Sequence, residues 1–156
     1  MKRVAMFLAS ILAAAVLLGP GPARADDSGG MVAGAGGGVF PGGAAFGGVP
    51  LSGLDFGQAV FTAPEGSAVG AFHAVLLGVS LLGQPQRITV EGKVDSGGVA
   101  GIATFSGTAT LDMGDGTPSL PGVPFSVAIG GDGLQLTLDA TLLPTATLSA
   151  GAVAVE

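Results

Sequence analysis

Arg87-Ile-Thr-Val-Glu-Gly-Lys-Val94 alternates in character along its length. Ile88, Val90 and Val94 share one parity, and Thr89, Glu91 and Lys93 share the other. Successive side chains of a strand point to opposite faces, so this is the pattern of a β-strand with one dry and one wet side. Beyond Asp95-Ser-Gly-Gly98, the run from Val99 to Met113 repeats it. Ala103, Phe105, Ala109, Leu111 and Met113 fall on one face, and Thr104, Ser106, Thr108, Thr110 and Asp112 on the other. The two runs predict a hairpin that turns at Asp95–Gly98.

The alternation continues on both sides of this hairpin. Phe125, Val127 and Ile129 are followed by Leu134, Leu136, Leu138 and Leu142, with Gly130-Gly-Asp-Gly133 between them as a tight connection, which predicts a second hairpin. Thr145 to Val155 reads as a last strand with a bulge, because its apolar parity slips from Ala146, Leu148 and Ala150 to Val153 and Val155. Upstream, Gln58–Ala63 and Val69–Leu82 supply further strands, broken at Glu65-Gly66 and Gly83-Gln-Pro85. No stretch of this region carries a helix-length apolar stripe built from good helix formers. The expected class is all-β, an antiparallel β-sandwich, with a small open β-barrel as the alternative. A lipid-facing outer-membrane barrel would need aromatic girdles, and the chain has no Tyr or Trp.

In strand and turn style, ITVEGKVDSGGVAGIATFSGTATLD (88–112) followed by PFSVAIGGDGLQLTL (124–138) resembles the hairpin core of small exported bacterial β-sandwich proteins. The resemblance covers roughly residues 58 to 142. It implies a sandwich fold and export, and it brings no catalytic motif with it.

Residues 1–25 have the layout of a cleavable secretory signal peptide. Lys2 and Arg3 precede an uncharged run from Val4 to Leu18, and Ala23-Arg-Ala25 is a small-x-small cleavage site. That run spans only about 22 Å as a helix, against a hydrocarbon core of about 30 Å, so cleavage is expected rather than a retained transmembrane anchor. A secreted, periplasmic or extracellular location follows. With no cysteine to acylate or oxidise, neither a lipoprotein anchor nor a disulfide framework is available. Gly29 to Gly57 is dense in glycine and uncharged until Asp55. Glycine loses the most freedom on ordering, so residues 26–57 are expected to be a disordered glycine-rich leader, with Phe40 outside the core and 58–156 as the β domain.

The mature chain keeps all eleven acidic residues but only Arg87 and Lys93 of the five basic ones, giving 2 minus 11, or −9. Without a basic surface to concentrate phosphates, nucleic acid is excluded as a partner.

Candidate chemistry is sparse. His73, the one histidine, shares a strand face with Val69, Ala71, Val75 and Leu77, so it is buried if that face turns inward. Ser67 lacks the G-x-S-x-G setting of a nucleophile elbow. Asp112, Asp115 and Asp132 lie in Asp-Gly-type turns and are the candidate ligands for calcium, a hard cation that takes carboxylate and carbonyl oxygens from flexible loops. Asp-Gly also serves turn geometry itself, which is the preferred reading. Leu143-Pro-Thr-Ala-Thr147 approaches a sortase signal but lacks its final glycine and the membrane run that must follow. The expected function is therefore a non-enzymatic structural or binding module of the envelope or extracellular matrix, with no cofactor and with self-association as a possible mode of action. The alternatives are a small-ligand or carbohydrate-binding sandwich, assisted by calcium, and third a small secreted hydrolase.

Overall fold

Ile88, Val90 and Val94 are buried and Glu91 and Lys93 are exposed in the computed structural model, as their parity requires. The structure describes residues 29–131 and 133–156, so the expected signal peptide at 1–25 lies outside the described residues. Ten strands follow in order: β1 (Gly30–Val39), β2 (Ala45–Phe46), β3 (Val49–Thr62), β4 (Ser67–Val79), β5 (Pro85–Ala100), β6 (Ile102–Asp112), β7 (Leu120–Gly130), β8 (Gly133–Leu138), β9 (Thr141–Leu142) and β10 (Ala146–Val155). All pairings are antiparallel, and the described residues contain no helix long and apolar enough to cross a membrane.

The strands form one sheet in the order β1-β10-β8-β7-β6-β5-β4-β3-β2, and β1 pairs with β3 as well as with β10. Pairing therefore runs round the molecule through eight strands, and two halves of the same sheet face each other across one core. The expected all-β antiparallel class is what forms. The roll is fastened unevenly, for β8 and β10 meet through Ala146↔Leu134 and Thr147↔Gly133 alone.

The glycine-rich stretch differs from its expectation as a leader. Gly30–Val39 is β1, paired on one side with β3 over its whole length and on the other with β10. Val49–Gly57 is the first part of β3, so the β domain begins at the first described residues rather than at 58. The entropic penalty of ordering glycine is offset here by two ladders of backbone hydrogen bonds instead of one. Its lack of a side chain is also used. A Cβ on Gly34 would lie 2.6 Å from the Ala152 carbonyl oxygen and 2.9 Å from the Val153 Cα, so β10 approaches too closely for any other residue. Phe40, expected outside the core, is buried with Ala44, Val49, Leu51 and Leu143, closing one end of the roll.

The first hairpin is longer than its punctuation suggested. β5 continues through Asp95-Ser-Gly-Gly98 with a register shift between Val94 and Ser96, and the chain reverses at Gly101, whose φ is 80°. Cross-strand pairing of Ser96 with Ser106, whose hydroxyls lie 2.7 Å apart, extends the ladder past the expected turn. The last strand has a bulge, but earlier than the parity slip after Ala150 suggested: Gly37 pairs with Ala150 and Gly38 with Leu148, leaving Ser149 over.

At the centre of the core, the Phe72 ring stacks on Phe125 with centroids 5.6 Å apart and meets Phe105 at 5.7 Å with a 58° tilt. Gly92 makes room for this group, since a Cβ there would sit 2.7 Å from the Phe125 ring. Offset and tilted aromatic contacts of this kind add about 0.5–1.5 kcal/mol each beyond the area they bury.

Candidate functional site

Past Thr147, β10 has a neighbour on one side only. Leu148 and Ala150 to Val155 pair with β1, with Ser149 bulged between them, and among the described residues no strand lies on their other side. The direction of the unpaired groups follows from the terminal pair. Met31 and Glu156 exchange both backbone hydrogen bonds, at 2.8 and 2.9 Å. In an antiparallel ladder such pairs alternate with pairs that exchange none, so Ala154 and Ala152 bond toward β1 while the N–H and C=O groups of Val153 and Val155 face the open side. Beside this edge lies a cleft of about 390 Å³, lined by Ala103, Ile129, Leu148 and Val153 and rimmed by Gly101 and Gly131. An unpaired strand edge beside apolar side chains is the geometry that accepts an additional strand.

A second feature lies one strand away. Gln58 points into the core, 7% exposed, and neither its side-chain oxygen nor its nitrogen has a hydrogen-bond partner. Its register neighbours are Gly34 on β1 and Phe72 on β4, and Gly34 in turn pairs with Val153. Only a glycine therefore stands between Gln58 and the strand that borders the cleft. A buried amide without partners is uncommon in a folded chain. The sequence signal for it was present, since Gln58 shares the parity of Phe56 and Val60, but a polar residue at a strand start reads as a boundary.

The residues singled out by chemistry are placed apart. The inward face of β4 carries Phe72, Ala74 and Leu76, which turns His73 outward to solvent, opposite Gly57 and Glu91 on the adjacent strands. Ser67 is six positions from His73 on the same strand, about 20 Å at the usual rise per residue. Its hydroxyl donates instead to Glu65 Oε1 at 2.7 Å, and this contact holds the Glu65 carboxyl below the usual range. Phe72 is buried against Phe105 and Phe125, which are themselves buried. Leu143-Pro-Thr-Ala-Thr147 is the lead into β10, with Leu143 buried and its N–H bonded to the Leu136 carbonyl at 3.0 Å.

Asp112 and Asp115 flank the turn between β6 and β7, and each carboxylate is taken up locally. Asp112 Oδ1 accepts the Gly114 N–H at 2.8 Å, while Asp115 Oδ1 accepts the Thr117 hydroxyl at 2.6 Å and the Thr117 N–H at 2.9 Å. The Thr117 hydroxyl is the main reason that the Asp115 carboxyl titrates below its ordinary value. Asp132 lies outside the described residues, and its neighbours Gly131 and Gly133 stand at the far end of β7 from Asp115. No group of three or more carboxylate or imidazole side chains able to hold a metal ion occurs among the described residues. Millimolar calcium is expected to leave the melting temperature unchanged, because these oxygens already serve the turn. A rise that chelator reverses would restore calcium as a ligand.

No protein-family model, no curated protein and no solved structure matches this chain.

Proposed function

We propose that the protein is a non-enzymatic exported module that acts in the envelope or extracellular matrix by associating with another chain. The observation that carries this reading is the open side of β10. A run of strand with unpaired backbone groups, beside a cleft whose lining includes Ile129, Leu148 and Val153, is suited to holding an extended partner. The signal-peptide layout of residues 1–25 and the resemblance of residues 58 to 142 to small exported bacterial β-sandwich proteins support the location.

Fractionation of the native host into cytoplasm, periplasm, membrane and medium, with size-exclusion of the fraction that holds the mature chain, tests the proposal. Envelope-associated or high-mass material is the expected result. A monomer free in the periplasm or medium would overturn it. That outcome would favour a second reading, a small-ligand binder, whose support is the buried, unpartnered Gln58 amide.

A further inference from the structure

We infer that the open side of β10 pairs with the same strand of a second copy, antiparallel about a two-fold axis. This rests on the proposed association and names its partner. Among the described residues, Ser149–Val155 is the longest stretch of strand with one side unpaired. β2 and β9 have two residues each, and the start of β7, unpaired beyond β6, is blunted by Pro121 and Pro124. A sheet edge is satisfied by another edge. The one long edge that a second molecule of this chain can offer is its own β10, and pairing a strand with itself is self-complementary only when the two run antiparallel about a two-fold.

Charge favours the same contact. The mature chain carries −9, counted as 2 minus 11, so copies repel in general, yet no residue from Ala146 to Val155 is charged. Two molecules approach most closely where neither bears a charge. Most devices that protect an edge are lacking there too, for the stretch has no lysine and no proline, and its irregular positions, the bulge at Ser149 and the positive-φ Gly151, lie in the half next to β8. Ala152 and Ala154 are exposed and small, which lets a second backbone come within strand spacing, and the partner strand would cover the half-exposed Leu148 and Val153 beside the cleft. The N–H and C=O groups of Val153 and Val155 supply the new ladder without disturbing the bonds of Ala152 and Ala154 to β1.

The test uses the whole mature chain and its lack of cysteine. Ala152→Cys and Ala154→Cys, singly and together, place thiols along the proposed axis, and Thr108→Cys on the outer face of β6 is the control. Under mild oxidation, a disulfide-linked dimer is expected from residue 152 or 154, or from the pair, and not from 108. Sedimentation of the unmodified chain should show a concentration-dependent dimer. Val153→Pro, which removes an edge N–H, and Ala154→Lys, which adds a charge at the edge, should each weaken the dimer about tenfold or more while keeping the β-type circular dichroism. The lysine variant decides the matter if the proline variant fails to fold. A chain that sediments as a monomer throughout, crosslinks at 108 as readily as at 152 and 154, or dimerises as tightly in the Ala154→Lys variant as without it overturns the inference. An envelope-associated protein that is monomeric when purified would remove the second copy and leave the proposed function standing. A free monomer in the medium would remove both.

Discussion

Phe72→Ala should lower the folding stability by about 3–5 kcal/mol, the range for truncating a buried phenylalanine. The residue is 1% exposed and touches two other rings, stacked on Phe125 and tilted against Phe105. Removing it loses the transfer energy of one ring and both aromatic contacts, and it leaves a cavity walled by two sheet halves that cannot collapse freely. Neighbouring strands are fixed by ladders on both sides, so relaxation by backbone movement is restricted. Against a total stability of about 5–15 kcal/mol for an ordinary domain, this is a large fraction. Phe61→Ala is the matched control, since Phe61 lies on the outer face of β3 and is 55% exposed. Urea denaturation of the two variants should separate them by at least about 2 kcal/mol. Equal effects would mean that the aromatic group does not form the centre of the core.

Strand faces were legible in the sequence wherever one parity was apolar and the other polar, as in Arg87–Val94 and Phe125–Ile129. The burial of Ile88, Val90, Phe125, Val127 and Ile129 follows that parity directly. Where both parities are apolar the rule gives no direction. On β4, Val69, Ala71, Val75 and Leu77 look as ready for the core as Phe72, Ala74 and Leu76, and the larger aromatic decided which set turned inward and left His73 outside. Turn punctuation misled at Asp95–Gly98, because a strand that takes up a bulge tolerates residues that would otherwise end it.

The glycine-rich stretch was the larger difference, and its cause is tertiary. Composition reports the entropy lost when glycine is ordered, but not the number of neighbours available to compensate for it. β1 lies between β3 and β10, at the place where the sheet comes round to meet itself, and glycine there allows the close approach of β10 at Gly34. Whether a strand will have one neighbour or two is a property of the whole topology, so neither the order in β1 nor the missing neighbour of β10 could be read locally. The candidate site shares this origin. Leu148–Val155 reads as an ordinary final strand, and its unpaired side arises because β8 begins only at Gly133, opposite Thr147.

Gln58→Met is expected to act in the opposite direction from Phe72→Ala and to raise the folding stability by about 1–3 kcal/mol, the penalty for burying an amide without partners. Methionine keeps the length and unbranched shape of glutamine, so the substitution removes two unsatisfied polar atoms without changing the space to be filled. Its sulfur would also lie beside Phe72, the register neighbour of residue 58, where a thioether packs well against a ring. Few core substitutions in natural proteins are stabilising, so an increase in urea midpoint at constant slope would be diagnostic of an uncompensated amide. A loss of stability would show instead that Gln58 gains a hydrogen-bonding partner in solution, such as a buried water or a small polar ligand entering beside β10. The two cases separate further on binding. If the unmodified chain melts higher in the presence of a host extract of small molecules and the methionine variant does not, the amide is a ligand contact, and the binder reading gains the support that the association reading loses.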